Sequence, residues 1–529
     1  MRVQFEDTED VFKYIQENVV QTVFRGEPQR FLRKAALDEV TSKETILLVT
    51  SDDEDVFLDE DGLERFADQV VKFGRQMFAT CVQGSLPMTC LQLLLENGLT
   101  DTDMPLTEDN FPGSKKTKRR FVGSFIPNQA LFSTAYFHLD SFQDLTGLTK
   151  PIDHDESTLI GKGAFGAVYT VQIHEEHRAF ASGNTKDEFA MKVTQQKGTR
   201  ELPYHQAMAS LSHPHLVKCH ASFTFASYYH MIFEKADGNL EELMQTHRDA
   251  PILRSLTPDY LAQQLAGTIN AVSVIHTQLP PDDGASQLGV PKLDIQKSGY
   301  LHDIKPDNIL VFRYRQAVWF RLADFSCAKV VDYVASVSGL HRQSWKSTGK
   351  SGTPIYRPPE STTEGKTSRP YDIWSLGCVL IEALVWYTEG YAALDTFRTS
   401  RTRMVKPRGI EDQGFYYIDE NGKGHLREQV VDRLKTIPLR CEGHLRTIAN
   451  VIPQMLEINP RDRPTAEQLV NRLKVIDQPS SPPNLLTSAS TVDLSHTRTN
   501  QSASPTYISD SDSDFGPVIK IQVQHPTNE

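Results

Sequence analysis

Asp303, Lys305 and Asn308 stand close together in the stretch Tyr300-Leu301-His302-Asp303-Ile304-Lys305-Pro306-Asp307-Asn308-Ile309-Leu310-Val311. A carboxylate can accept a proton, an ammonium can neutralise a phosphoryl group, and a carboxamide can offer its oxygen to a hard cation. A second stretch with chemical content is Leu159-Ile160-Gly161-Lys162-Gly163-Ala164-Phe165-Gly166-Ala167-Val168, whose glycines let backbone N–H groups approach phosphate oxygens. The same glycine spacing occurs in dinucleotide-binding folds, where a helix follows directly. Here Val168-Tyr169-Thr170-Val171-Gln172-Ile173 alternates as a strand does, which favours a hairpin instead. A phosphate cradle, a proton-accepting carboxylate and oxygen ligands for a metal are the parts of phosphoryl transfer.

The first stretch resembles the catalytic loop of the protein kinase superfamily, H-R-D-x-K-x-x-N followed by an apolar strand, and the second resembles the kinase glycine-rich loop. The resemblance implies that Asp303 accepts the substrate hydroxyl proton, Lys305 reaches the transferring phosphoryl group and Asn308 holds magnesium. Phe189-Ala190-Met191-Lys192-Val193 resembles V-A-I-K, so Lys192 would bind the α- and β-phosphates while Ala190 and Val168 cover the adenine. Ile160, Gly161, Lys162, Gly163 and Gly166 belong to the same nucleotide-binding set. Met231-Ile232-Phe233-Glu234-Lys235-Ala236 reads as the last strand entering a hinge, with Phe233 behind the adenine and backbone groups of Glu234 and Ala236 at the purine edge. Ala323-Asp324-Phe325-Ser326 stands where D-F-G is expected, which adds Asp324 as a magnesium ligand. The implied cofactors are ATP and Mg2+.

Gly352-Thr353-Pro354-Ile355-Tyr356-Arg357-Pro358-Pro359-Glu360 looks like the G-T-x-x-Y-x-x-P-E of Ser/Thr kinases, with Thr353 against Asp303 and Lys305. Asp372 is then expected to hold the catalytic-loop backbone, and Arg463 to form a buried ion pair with Glu360. Three departures stand out. Tyr204 occupies the place of the glutamate that pairs with the lysine, nine residues before His213-Pro214-His215-Leu216-Val217, and the nearest carboxylate is Glu201, behind Pro203. Leu301 and His302 replace His and Arg; the absent arginine, which elsewhere neutralises a phosphorylated activation loop, predicts activity independent of that phosphorylation. Ser326 replaces glycine. The leading reading is a Ser/Thr protein kinase transferring the γ-phosphoryl group of ATP to protein hydroxyls. The competing one, which Tyr204, His302 and Ser326 favour, is a pseudokinase or scaffold.

These residues need two lobes to bring them together. The resemblance, covering residues 155–477, implies an α+β, bilobal kinase-like fold with a small β-rich lobe and a large helical lobe. A mainly helical region, residues 1–150, precedes it. Helical spacing runs over residues 7–24, an amphipathic helix is predicted over 63–82, and another over Met88–Glu96 closing at Gly98. Asp59-Glu60-Asp61-Gly62 lacks calcium-loop spacing and reads as a solvated turn. Lys115-Lys116-Thr117-Lys118-Arg119-Arg120 reads as an exposed basic loop, with nuclear import as the alternative. His174 to Asp187 reads as a surface loop, Gln278 to Ser298 as a polar insertion, and residues 395–440 as a basic, aromatic insertion without an assigned role. The N-terminal region, the Gln278–Ser298 insertion and the Arg-Pro-Pro-Glu ending resemble kinase-domain proteins of filamentous fungi.

Residues 478–529 are rich in Ser, Asp and Pro and predicted to be disordered. There, Val518-Ile519-Lys520-Ile521-Gln522-Val523 beside acidic serines resembles a SUMO-interacting motif, which adds a strand to a partner's sheet. Across 529 residues the net charge of −12 argues against non-specific binding to nucleic acid or anionic membranes. No apolar run reaches about 18 residues, the amino terminus is unlike a secretory signal, and six cysteines form no C-x-x-C pair. A cytoplasmic or nuclear location with reduced thiols is expected.

Overall fold

The computed structural model describes residues 3–56, 58–163, 166–195, 211–247, 256–277, 295–314, 317–323, 329–334, 347–348, 353–363, 366–367, 369–405 and 410–476. Asp324, Ser326, Cys327, Glu201, Tyr204, most activation-segment hydroxyls and the Val518–Val523 segment lie outside the described residues.

Asp7 starts α1 (Thr8–Glu17), its carboxylate accepting the Asp10 amide at 2.9 Å. The helical spacing continues to Phe24, but the helix ends at Asn18 and the chain enters β1 (Val19–Phe24), antiparallel to β2 (Glu27–Leu32). The β-branched run Val19, Val20, Thr22 and Val23 suits a strand. Arg25 and Gly26, with φ of 55° and 80°, supply the positive angles a two-residue hairpin turn needs.

Then come α2 (Lys34–Val40), α3 (Lys43–Ser51), α4 (Glu60–Phe73) and α5 (Arg75–Gln83). The single helix predicted over 63–82 is two, broken at Gly74. The Asp101 carboxylate fills the break, accepting the amides of Gln76 at 3.0 Å and Met77 at 3.1 Å. A Cβ at Gly74 would lie 3.2 Å from Met77 and 3.3 Å from Leu95, so the corner is closely packed. Asp59, in the stretch read as a turn, caps α4 through the Gly62 amide at 2.8 Å. Helix α6 (Met88–Glu96) ends as predicted, with Gly98 at φ +76°. The basic run is no loop: it forms the first turns of α7 (Lys115–Gln129), capped by Ser114, with Arg120 paired to Asp55 at 2.6 Å. The apolar faces of these helices close one core around Val11, Ile15, Phe66, Phe78, Leu91 and Phe125.

The small lobe is a seven-stranded sheet of β3 (Ser141–Asp144), β4 (Ile152–Asp153), β5 (Leu159–Gly163), β6 (Gly166–Ile173), β7 (Phe189–Gln195), β8 (Cys219–Phe225) and β9 (Tyr228–Glu234). Their order is β3-β8-β9-β7-β6-β4, with β5 also on β6 and β3 parallel to β8. Phe24 from the N-terminal hairpin, with Phe137 and Leu145, packs among Val171, Phe189, Phe223 and Ile232, so the helical region shares the small-lobe core. The segment read as a surface loop, His174 to Asp187, is the seat of this attachment. His177 is buried with its ring edge-on to Phe31 at 5.0 Å, and Glu176 accepts the Ala35 amide at 2.7 Å.

The large lobe contains β10 (Gly238–Asn239), α8 (Leu240–Thr246), α9 (Pro258–Thr277), β11 (Ile295–Tyr300), β12 (Ile309–Tyr314), β13 (Ala317–Leu322) and β14 (Lys329–Val334). Helices α10 (Pro359–Thr363), α11 (Arg369–Glu389), α12 (Tyr391–Ser400), α13 (Glu428–Arg440), α14 (Gly443–Met455) and α15 (Ala466–Arg472) follow. Thr257 caps α9, its hydroxyl accepting the Tyr260 amide at 3.2 Å, and Leu261, Leu265, Ile269, Val272 and Ile275 are all buried. The unassigned 395–440 stretch folds into most of α12, two short hairpins and α13. Part of its basic character is internal: Arg398 and Arg401 each reach the fully buried Glu382 at 2.6 Å, while Arg403, Lys423, Lys435 and Arg440 are exposed.

Candidate active site

The catalytic-loop segment is held from beneath by Asp372 of α11, which accepts the amides of Leu301 and His302, both at 2.8 Å, and Nε2–H of His276 at 2.9 Å. His302 has φ +67°, so the chain turns sharply just before Asp303. Asp303 Oδ1 accepts the backbone amide of Thr353 at 2.7 Å and its hydroxyl at 2.8 Å. Lys305 Nζ donates to the Thr353 hydroxyl oxygen at 3.0 Å and lies 3.1 Å from Asp303 Oδ2. Asn308 donates Nδ2–H to the Asp303 carbonyl at 2.8 Å and to Oδ2 at 3.2 Å. The sequence placed Thr353 against both charged residues, and the hydrogen bonds do so.

Committing its amide nitrogen leaves Asn308 with the side-chain oxygen to offer, the atom type a magnesium ion takes. Ala323, just before Asp324, donates its amide to the Asn308 carbonyl at 2.9 Å. Among the described residues no group of three or more His, Cys, Asp or Glu side chains could hold a metal by itself.

On the small-lobe side, Gly161 faces Val168, Lys162 faces Ala167 and Gly163 faces Gly166 across the β5–β6 hairpin. Gly166 has φ +152° and a Cβ there would fall 2.3 Å from the Val193 carbonyl oxygen, so only glycine fits. Ile160 is 54 % exposed on the outer strand. Lys192 lies between Val168 on β6 and Met231 on β9, and Ala190 is paired with Phe233. Phe233 and Ala236 join an apolar cluster with Val217, Leu310 and Ala323, which brings the hinge against the start of β12. Leu310 was not singled out from the sequence. The signal was the strand alternation after Asn308: Ile309 and Val311 are buried in the large-lobe core, and Leu310 faces the other way.

The lobe is pinned elsewhere by Arg463, which grips Glu360 through two bonds of 2.6 and 2.8 Å. The five cysteines among the described residues are free and buried, and no described helix is long and apolar enough to cross a membrane.

A two-lobed fold with this loop between the lobes is that of a protein kinase. The protein kinase domain matches residues 154–280 and 294–473, more than half of the sequence, and the chain belongs to that family. The unmatched interval lies inside the polar insertion. The chain is 25 % identical over 349 residues to serine/threonine-protein kinase chk-2 of Caenorhabditis elegans, covering 65 % of this chain and 60 % of that protein. It is 23 % identical over 317 residues to cyclin-dependent kinase-like 5 of Mus musculus, covering 59 % of this chain and 29 % of the relative. With calcium/calmodulin-dependent protein kinase type II of Caenorhabditis briggsae the figures are 25 % over 242 residues, 44 % and 37 %. The chain thus spans less than two thirds of the length of these relatives. Protein kinase domains in general use ATP and a divalent metal.

Proposed function

We propose that the chain is an active Ser/Thr protein kinase that transfers the γ-phosphoryl group of ATP to protein hydroxyls. The observation that carries this is the closed ring of Asp303, Lys305 and Thr353 at hydrogen-bond distance, with Asn308 tied to the same aspartate. ATP with its magnesium supplies the phosphoryl group. Asp303 Oδ1, now engaged by Thr353, orients the acceptor hydroxyl and takes its proton. Lys305 brings positive charge to the transferred group, while Asn308, joined by Asp324, holds the metal through oxygen. Lys192 binds the α- and β-phosphates above the cradle of Gly161, Gly163 and Gly166. Val168 and Ala190 cover the adenine, Leu310 lies beneath it, and backbone groups of Glu234 and Ala236 meet its edge. Similarity to proteins named serine/threonine kinases supports Ser or Thr as the acceptor.

Incubating the purified chain with labelled ATP tests this without a known target. Wild type is expected to incorporate phosphate, and Asp303→Ala to do so about 10²–10⁴-fold more slowly. Equal incorporation by both would sink the enzymatic reading, and nucleotide binding without turnover would favour a scaffold.

A further inference from the structure

Glu234, the last residue of β9, turns its carboxylate onto the β12–β13 hairpin. Its Oε1 accepts the Tyr314 hydroxyl at 2.8 Å and its Oε2 accepts Arg321 Nη1–H at 2.6 Å. Arg321 Nη2 donates to the same Tyr314 oxygen at 2.8 Å, which closes a ring of three side chains. Nε of Arg321 reaches the Pro214 carbonyl at 3.3 Å, joined there by Trp319 Nε1 at 2.8 Å. The guanidinium lies 4.4 Å over the Phe312 ring. Arg321 and Glu234 are 11 % and 14 % exposed, so little water screens the pair. Burial raises the Tyr314 phenol well above its ordinary range, which keeps it a donor to Glu234.

A second lacing runs beside the first. Asp237 donates its amide to the Val311 carbonyl at 2.9 Å and its carboxylate accepts the Arg313 amide at 2.6 Å. Gly238 and Asn239 then pair with Val311 and Leu310. The hairpin so tied begins immediately after Asn308 and ends at Leu322, two residues before Asp324. Three parts of the molecule therefore meet at Arg321: the Pro214 turn before β8, the end of β9 and the hairpin that lies in sequence between the two metal-ligand candidates.

We propose that Glu234, Tyr314 and Arg321 form a clamp between hinge and catalytic hairpin, with Arg321 the positioning residue that slows opening of the lobes and release of nucleotide. Opening rotates β9 relative to the hairpin, so it must break charge-assisted bonds in a nearly dry setting. The nucleotide readout rests on the kinase reading; the behaviour of the hinge backbone does not.

The test uses the full chain as wild type, Arg321→Ala, Arg321→Lys and the double variant Glu234→Gln/Arg321→Ala. It records the release rate of a fluorescent ATP analogue and hydrogen exchange of the amides of residues 229–237. Arg321→Ala is expected to release the analogue about tenfold faster, the loss of about 1.4 kcal/mol, and to expose the hinge amides to faster exchange. Arg321→Lys falls between, because an ammonium cannot fork to Glu234 and Tyr314 as a guanidinium does. In the double variant the second change adds less than about twofold, as residues of one network are coupled. The clamp is overturned if Arg321→Ala matches wild type in both readouts, or if exchange quickens equally throughout the chain, the mark of a merely structural residue. A wild type that binds no nucleotide overturns the kinase reading instead, and the hinge amides then decide the clamp alone.

Discussion

The Asp372 carboxylate, fully buried in α11, accepts the amide of His302 at 2.8 Å and thereby holds a left-handed residue next to Asp303. A non-glycine residue with φ near +67° costs about 1–2 kcal/mol, and the bonds to Leu301 and His302 offset it. Replacing Asp372 by alanine leaves two buried amides without an acceptor, at about 1–3 kcal/mol each. Thermal unfolding of Asp372→Ala is expected about 2–9 °C below wild type, since an unfolding entropy of about 2.1 cal/mol/K per residue makes each kcal/mol worth about 1–1.5 °C in a unit of roughly 300–500 residues. Turnover falls as well, because the turn that aims Asp303 relaxes. An unchanged melting temperature would refute the account.

His302 bears on regulation. Its ring is 1 % exposed, 4.5 Å from the Tyr300 ring and 5.0 Å from that of Tyr371. A side chain enclosed in that aromatic stack has almost no exposed surface with which to meet a phosphorylated activation loop. Treatment with a phosphatase is therefore expected to leave kcat/KM within about twofold, where a phosphate-dependent site would lose far more. Loss of activity on dephosphorylation, measured on a peptide substrate, counts directly against this.

Which parts were readable in advance follows from the range of the interactions. Asp303, Lys305 and Thr353 lie in short motifs whose spacing carries the geometry, so the Thr353–Asp303 bonds could be anticipated across 50 positions. Gly98 announced the end of α6 because a helix terminus is a local matter. The apolar residues Val11, Ile15, Val19 and Val23 misled, since four-residue spacing fits a helix while β-branching and the Arg25–Gly26 turn select a hairpin beyond Asn18. The break at Gly74 depends on Asp101, a carboxylate from a later segment that no local pattern indicates. Likewise, His174 to Asp187 looks polar and loop-like until Phe31 and Ala35 arrive to bury it. Glu234 was noticed for its backbone alone; its bond to Arg321 spans 87 positions.

The small lobe is expected to be sensitive to acid. His230 is fully buried, its ring stacked 4.4 Å from Phe223, and burial pushes the imidazole down to about 3 from the usual 6.5. Burial likewise brings His177 and His220 down to about 4. With folded-state values below the unfolded one, the unfolded chain takes up protons first as pH falls. Stability is therefore complete above about pH 6.5 and is lost progressively towards pH 4. The drop in melting temperature between pH 6.5 and 5, a range above most carboxylate titrations, should be smaller in His230→Phe than in wild type. Identical slopes would clear this histidine of any part in the loss.

Arg463 permits a sharper separation of charge from geometry. Its side chain is wholly buried; Nη1 donates to Glu360 at 2.6 Å and Pro370 O at 3.0 Å, Nη2 to Glu360 at 2.8 Å and Ile458 O at 3.2 Å, and Nε to Glu457 O at 2.7 Å. The guanidinium also lies 5.0 Å over Trp374. Arg463→Ala strands the Glu360 carboxylate and should cost about 3–5 kcal/mol. Arg463→Met/Glu360→Leu removes both charges and keeps much of the volume, so it should cost less than Arg463→Ala alone, although three backbone carbonyls lose their donor. Arg463→Lys keeps the charge but cannot supply the five directed donors, and is expected to recover only part of the loss. Denaturant unfolding of the three variants ranks them. If the lysine variant were as stable as wild type, the positive charge alone would account for the pair, and the directed contacts to Pro370, Glu457 and Ile458 would contribute nothing measurable.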